Sequence, residues 1–242
     1  THLVSDHQHY WEDGGATYHQ RYQTWDIVRG QEGDRWKADL SDASIDKSSL
    51  NNRHRPVEWA KQDWVNRSFM KRQEDLPQHR VFEGGLDFLK RNSRFDNWFL
   101  QIETFDPHEP FFVPKSFQEL YDDPYRGPHY DWPPYAKVSE QDDTVRHIRL
   151  LNAALVSMCD HYLGRVLGAM DRLDLWKDTL LIVNTDHGYL LGEHDWWAKC
   201  VQPFYNEVAH VPLFVWDPRA GVAGVRRSSL VQTIDLAPTL LE

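Results

Sequence analysis

The chain has 242 residues, with 27 Lys and Arg against 37 Asp and Glu and a formal net charge of −10. That length buries one substantial core, so one domain is expected. The acidity argues against nucleic acid or an anionic membrane as partner, two cysteines (Cys159 and Cys200) make no disulfide framework, and no stretch is long enough to span a bilayer. No signal peptide is visible, but the chain opens at Thr1 without Met, in mid-pattern. A processed or truncated start is therefore expected, and the compartment stays open. Eleven Trp residues are unusual, and many must pack in the core or line a cleft.

Thr1 to Val4 reads as the end of a strand. Asp6-His7-Gln8-His9-Tyr10 follows it, a set that suits metal or anion ligands and equally suits a polar loop. Arg29-Gly30-Gln31-Glu32-Gly33-Asp34 lacks phosphate-loop spacing and reads as a surface or substrate-rim turn. Residues 37–56 are polar and aperiodic, a long loop. Trp59 to Arg72 reads as helix. Val81 to Arg94 reads as a second, with Phe82, Leu86 and Leu89 on one face. Trp98 to Phe105 is a strand ending in Asp106-Pro107-His108-Glu109-Pro110. The two prolines hold that turn. A His fixed at a strand end suits a general acid or a donor to a leaving-group oxygen, and equally a cap on a carbonyl. Residues 112–141, rich in Pro and aromatics, form an irregular excursion.

Asp142 to Leu173 is the clearest helix, with Ile148, Leu151, Leu155, Met158, Tyr162 and Val166 at three- and four-residue spacing. Cys159 flanks the stripe as an inert core thiol. The apolar run from Leu180 to Val183 then reads as a buried strand. It breaks into Asn184-Thr185-Asp186-His187-Gly188, where Gly188 frees the turn. Asp186 and His187 thus sit beyond the carboxyl end of a strand, where an α/β sheet places its site, and their oxygen and nitrogen donors make half of a divalent metal site. Glu193, His194 and Lys199 concentrate charge at the same mouth. Val211 to Trp216 reads as a further buried strand, Ser228 to Val231 as another, and Asp235 to Leu241 as the start of a helix. Helix-then-strand alternation implies a mostly parallel central sheet flanked by helices.

Thr185-Asp186-His187-Gly188 after a strand, then Gly192-Glu193-His194 and Trp197-Ala198-Lys199, resembles the sulfatases of the alkaline-phosphatase superfamily and their relatives, the phosphonate monoester hydrolases. Asn206-Glu207 to Val211-Pro212-Leu213 and the closing Thr233 to Leu241 continue the pattern, and so does Pro107-His108-Glu109-Pro110-Phe111. The resemblance covers most of the chain from Phe99 onward. It implies an α/β fold of alkaline-phosphatase/sulfatase type, incomplete at both ends, with residues 1–242 forming one partial catalytic domain.

The resemblance also implies a chemistry. Asp186 and His187 would hold one divalent cation. Ca²⁺ is the family's usual ion, while the His187 nitrogen, where many relatives carry Asn, tilts toward Mn²⁺ or Zn²⁺. Lys199 would contact a non-bridging or leaving oxygen, and His108 would act at the leaving group. Sulfatases place a Lys and a His on the sulfate after a comparable early strand. Here that Lys is missing, and His7 or His9 takes the His role, with His9 preferred. His194 would touch substrate or only order its loop, and Glu193 and Glu207 would be hydrogen-bond partners. The formylglycine motif, Cys or Ser followed by x-Pro-x-Arg, does not occur in the sequence, and Cys200 precedes Val201-Gln202-Pro203 instead. The nucleophile and the remaining acidic ligands are expected upstream of Thr1. The substrate would be a small anionic ester, a sulfate ester first. A phosphonate or phosphate monoester is the alternative, and a non-catalytic remnant the third reading.

Overall fold

The computed structural model of the chain describes residues 1–12, 18–40 and 57–241. Its central sheet has three parallel strands in the order β2–β1–β3: β1 is His2–Ser5, β2 Thr24–Ile27 and β3 Leu100–Glu103. Parallel neighbours need a crossover. Between β2 and β3 run helices α1, Val57–Ser68, and α2, Pro77–Asn92. α2 starts on Pro77, whose missing N–H costs nothing in a first turn. It lies against the sheet because two consecutive glycines face the strands. A Cβ on Gly84 would come within 2.9 Å of Val4 Cγ1, and one on Gly85 within 2.3 Å of Ile102 Cδ1.

Helix α3, Lys115–Gln118, is the one helical piece among residues 112–141, which are otherwise irregular. α4, Asp142–Arg172, is the long helix its periodicity predicts. Asp142 and Asp143 in its first turn and Arg172 in its last complement the helix dipole. Its stripe is the core: Ile148, Leu155 and Tyr162 are wholly buried and Leu151, Met158 and Val166 nearly so. Each such side chain contributes roughly 1.5–3 kcal/mol of burial. Phe82 of α2 stacks on Tyr162 at 5.3 Å, joining the two helices. Burial pushes the Cys159 thiol up and Gln78 Nε2 donates to its Sγ at 3.0 Å, so this cysteine is an inert packing group.

Strand β4, Leu181–Asn184, follows α4 and pairs antiparallel with β7, Leu213–Trp216. β5, Leu190–Leu191, pairs antiparallel with β6, Trp197–Ala198. α5, Asn206–Ala209, and α6, Leu236–Leu241, complete the elements.

Three expectations need correction. β7 is not buried: Phe214 and Val215 are 66% and 56% exposed, since among the described residues its one strand partner is β4. β4 itself is only half-buried. Ser228 to Val231 forms no strand, and Leu230 projects fully into solvent; the segment meets no pairing edge among the described residues. Of the loop expected at residues 37–56, residues 41–56 lie outside those described. No helix among the described residues is long and apolar enough to cross a membrane.

Candidate active site

Because β1 and β3 are parallel neighbours, with Ser5 opposite Glu103, their carboxyl ends open at the same edge of the sheet. The loops leaving them are tied together at once. The wholly buried Asp6 accepts the Phe105 N–H through Oδ1 at 2.7 Å and the Gln31 amide through Oδ2 at 2.8 Å. Burial pushes the Asp6 carboxyl up to about 7, against the pull of those two hydrogen bonds. Burial, and then the charge of Asp6, drive the Asp106 carboxyl well above its ordinary range too.

Beyond Asp106 the chain turns through Pro107-His108-Glu109-Pro110, both prolyl bonds of which are cis. His108 is clasped there. Its Nδ1 faces acceptors: the Glu109 carbonyl oxygen at 2.5 Å, Glu109 Oε2 at 3.2 Å and Glu32 Oε1 at 3.4 Å. Nδ1 therefore carries the proton, and Nε2 is left to accept from Lys199 Nζ at 2.5 Å. Lys199 arrives from β6 with its side chain only 8% exposed. It also donates to Glu109 Oε2 at 3.3 Å and lies 5.7 Å from the Tyr189 ring centre. The backbone on either side is in the left-handed region, Ala198 at φ 71° and Cys200 at φ 81°. Non-glycine residues reach that region at a cost, typically where a side chain must be aimed.

His7 and His9 meet His108 through a ladder of rings. Phe105 lies 4.2 Å from His108, 5.6 Å from His7 and 6.0 Å from His9, and His7 and His9 are 5.2 Å apart. Burial holds His7 below the ordinary imidazole pKa, although the charges of Glu103 and Asp186 oppose it. His7 and Asp186 are thus electrostatic neighbours. His9 pairs with Glu12, Nδ1 to Oε1 at 2.8 Å.

Asp186 and His187 stand at the end of β4 as an ordered doublet. Asp186 Oδ1 accepts the His187 N–H at 2.8 Å, and His187 Nδ1 donates to the Gly188 carbonyl at 3.0 Å. These bonds leave Asp186 Oδ2 and His187 Nε2 as the two free donor atoms, 3.5 Å apart. Two ligands on one divalent ion stand about 3–3.5 Å apart, given bonds of about 2.0–2.6 Å. A backbone carbonyl fixing the other ring nitrogen is also the usual support for a ligating His. The doublet therefore fits two positions around a cation. Among the described residues no group of three His, Cys, Asp or Glu side chains gathers in that way.

His194 is held by Tyr205 and Glu207. Its ring stacks on Tyr205 at 3.9 Å and its Nε2 meets Glu207 Oε1 at 3.2 Å. Glu193 accepts the Leu191 N–H at 2.6 Å and orders the loop. Trp197 is wholly buried and donates to Glu140 at 2.8 Å. The Gly30–Asp34 loop is no surface turn, since Glu32 and Asp34 are buried and Glu32 faces His108.

Glu109, Glu32 and Tyr135 were not singled out from the sequence. Tyr135 donates its hydroxyl to Glu109 Oε1 at 2.5 Å. A Glu held between a His and a Pro was the available signal for Glu109; nothing local marks Glu32 or Tyr135.

The family model described as Sulfatase matches residues 4–242. An arylsulfatase of Clostridium perfringens is 26% identical over 202 residues, which is 74% of this chain and 40% of that protein. Human iduronate 2-sulfatase is 29% identical over 199 residues, 69% of this chain and 36% of that protein. The chain thus spans about two fifths of the length of these curated relatives. Among solved structures, the phosphonate monoester hydrolase of Silicibacter pomeroyi superposes with a TM-score of 0.53 at 23% identity, over 71% of this chain and 38% of that one. A protein solved in complex with its substrate D-glucosamine-2-N,6-O-disulfate superposes at 0.55 and 16% identity, over 68% and 47%. Both show a common α/β fold.

Proposed function

Because the chain belongs to the sulfatase family, we propose that the protein hydrolyses sulfate esters and that the residues at the ends of β1, β3, β4 and β6 serve that reaction. One observation carries the reading. Lys199 and His108 come from segments 91 residues apart and share a 2.5 Å contact beside the buried carboxylate of Glu109. A solvated Lys and a capping His have no reason to meet there.

Ester hydrolysis needs positive charge on the oxyanion, a nucleophile in line, and a proton or cation at the departing oxygen. The Lys199–His108 pair serves the last need. As a nucleophile forms its bond to sulfur and the S–O bond to the leaving group breaks, that bond's electron pair stays on the departing oxygen, which takes a proton from the Lys199 ammonium while His108 Nε2 holds another. His7, whose pKa burial lowers, and His9 lie across Phe105 from His108 and would hydrogen-bond the sulfate oxygens. His194 would close the far rim, braced by Glu207.

Members of this family bind a divalent cation. Asp186 and His187 would hold it here, with Ca²⁺ the first choice and Mn²⁺ or Zn²⁺ admitted by the nitrogen ligand. When bound, it supplies positive charge against the tetrahedral anion. The nucleophile is not among these residues, because no Cys or Ser stands two positions before a Pro. The 242 residues are read as part of one catalytic domain.

The test is turnover of 4-nitrophenyl sulfate, 4-nitrophenyl phosphate and a phenylphosphonate monoester by the protein as its gene encodes it. Sulfate hydrolysis above the other two is expected. Preference for the phosphonate would move the assignment to the neighbouring activity, and inactivity on all three would refute the hydrolase reading.

A further inference from the structure

Within that reading, we infer that Glu109 is the positioning residue that holds the Lys199–His108 pair aimed at the leaving group. Its side chain is wholly buried, and it touches both members: Oε2 is 3.3 Å from Lys199 Nζ and 3.2 Å from His108 Nδ1. Glu32 reaches His108 at 3.4 Å and is itself held by Gln8 Nε2 at 3.0 Å. The other oxygen of Glu109 accepts the Tyr135 hydroxyl at 2.5 Å, which fixes the plane of the carboxylate. Pro110 follows directly, so the backbone that carries Glu109 cannot swing with its side chain.

The physical consequence is a division of labour. A buried ammonium needs an anion in hydrogen-bond contact, and Glu109 offers it a carboxylate oxygen at 3.3 Å. Its second contact orients the imidazole so that Nε2, not Nδ1, meets the ammonium. Proton delivery to the leaving oxygen therefore depends on a residue that never touches substrate.

The distinguishing property is dependence on the leaving group. A stable leaving anion such as 4-nitrophenolate departs with little help, whereas phenolate needs the proton. Glu109→Gln keeps the side chain's shape and removes its charge. It is expected to slow kcat on phenyl sulfate about 100-fold and on 4-nitrophenyl sulfate less than about 10-fold, with KM for both nearly unchanged. Tyr135→Phe loosens the carboxylate without removing it and is expected to show the same ordering with smaller losses. It decides the matter if Glu109→Gln does not fold, as judged by thermal unfolding. Equal losses on the two esters, or a loss confined to KM, would assign Glu109 and Tyr135 a purely structural role and overturn the inference. An unaltered protein that turns over neither ester would sink the hydrolase reading and this role together, so the two failures are told apart.

Discussion

Asp6→Asn offers a sharp test of how the loops of β1 and β3 are joined. The Asp6 carboxyl is wholly buried and titrates near 7 in the folded chain, against an ordinary 3.8. A carboxyl raised on folding binds its proton more tightly in the folded state. Its contribution is fully present below the unfolded value and is lost as pH rises through the folded one. Between pH 5 and 7 the folded chain holds a proton at Asp6 that the unfolded chain lacks. Stability therefore falls by up to about 1.4 kcal/mol per pH unit, roughly 2 kcal/mol over the interval, with the slope fading as the folded group ionises near pH 7. Asparagine imitates the neutral carboxyl, still accepts from Phe105 N, and carries no charge at any pH. Denaturant unfolding of both proteins at pH 5, 6, 7 and 8 isolates the effect, since groups that titrate independently of Asp6 cancel in the difference. The variant should gain roughly 3 kcal/mol on the parent between pH 5 and 8. A difference that stays flat with pH would mean that Asp6 is ionised throughout and that the buried-acid account of this junction is mistaken.

Lys199→Ala should lower kcat/KM on sulfate esters by about 10²–10³-fold, and Lys199→Arg should not restore it, because a planar guanidinium does not fit a pocket shaped around an ammonium; steady-state kinetics on both variants check this. Asp186→Asn should abolish stabilisation by added Ca²⁺ or Mn²⁺. At a hundredfold excess over Kd the parent should gain about 2.7 kcal/mol, a rise of about 5–10 °C in Tm, visible in thermal shifts with and without chelator. Arg67→Met removes the cation between Asp63 at 2.8 Å and Asp131 at 2.5 Å. Burial raises Asp63 to about 6; at Asp131 burial pushes up too, but Arg67 and His129 together overcome it and hold the carboxyl well below its usual range. Loss of the shared partner should cost roughly 3–5 kcal/mol in denaturant unfolding, the penalty of buried charges left alone.

The parts of this fold legible in the sequence are those with a local period. The stripe of α4 repeats over about five turns, and the structure buries it from Ile148 to Val166. The strand at Trp98 to Phe105 and its bracketed turn were marked by an apolar run and two prolines. β7 shows the limit. Leu-Phe-Val-Trp reads as buried wherever it occurs, yet its burial depends on what packs over it, and here that face is open. Gly84 and Gly85 show another. Two glycines inside a helix pattern argue locally against helix, and their reason, a sheet within van der Waals reach, appears only in three dimensions. At the candidate site, His108, Lys199, Asp186 and His187 could each be noticed as a polar residue after a strand. What could not be read was the partner set. Glu109 borders His108 in the chain, yet its meeting with Lys199 joins segments 90 residues apart.

Gly188 has a mechanical consequence. Its N–H donates to the Val208 carbonyl at 2.8 Å, and a Cβ there would lie 1.9 Å from the Glu207 carbonyl oxygen. The peptide after the Asp186–His187 doublet is thereby riveted to the short helix whose Glu207 steadies His194. The two walls of the mouth share a single pivot, so no side chain larger than hydrogen can occupy it without prying them apart. A segment that looks like a pliable loop behaves instead as a jig, cut to hold its two donor atoms at one spacing.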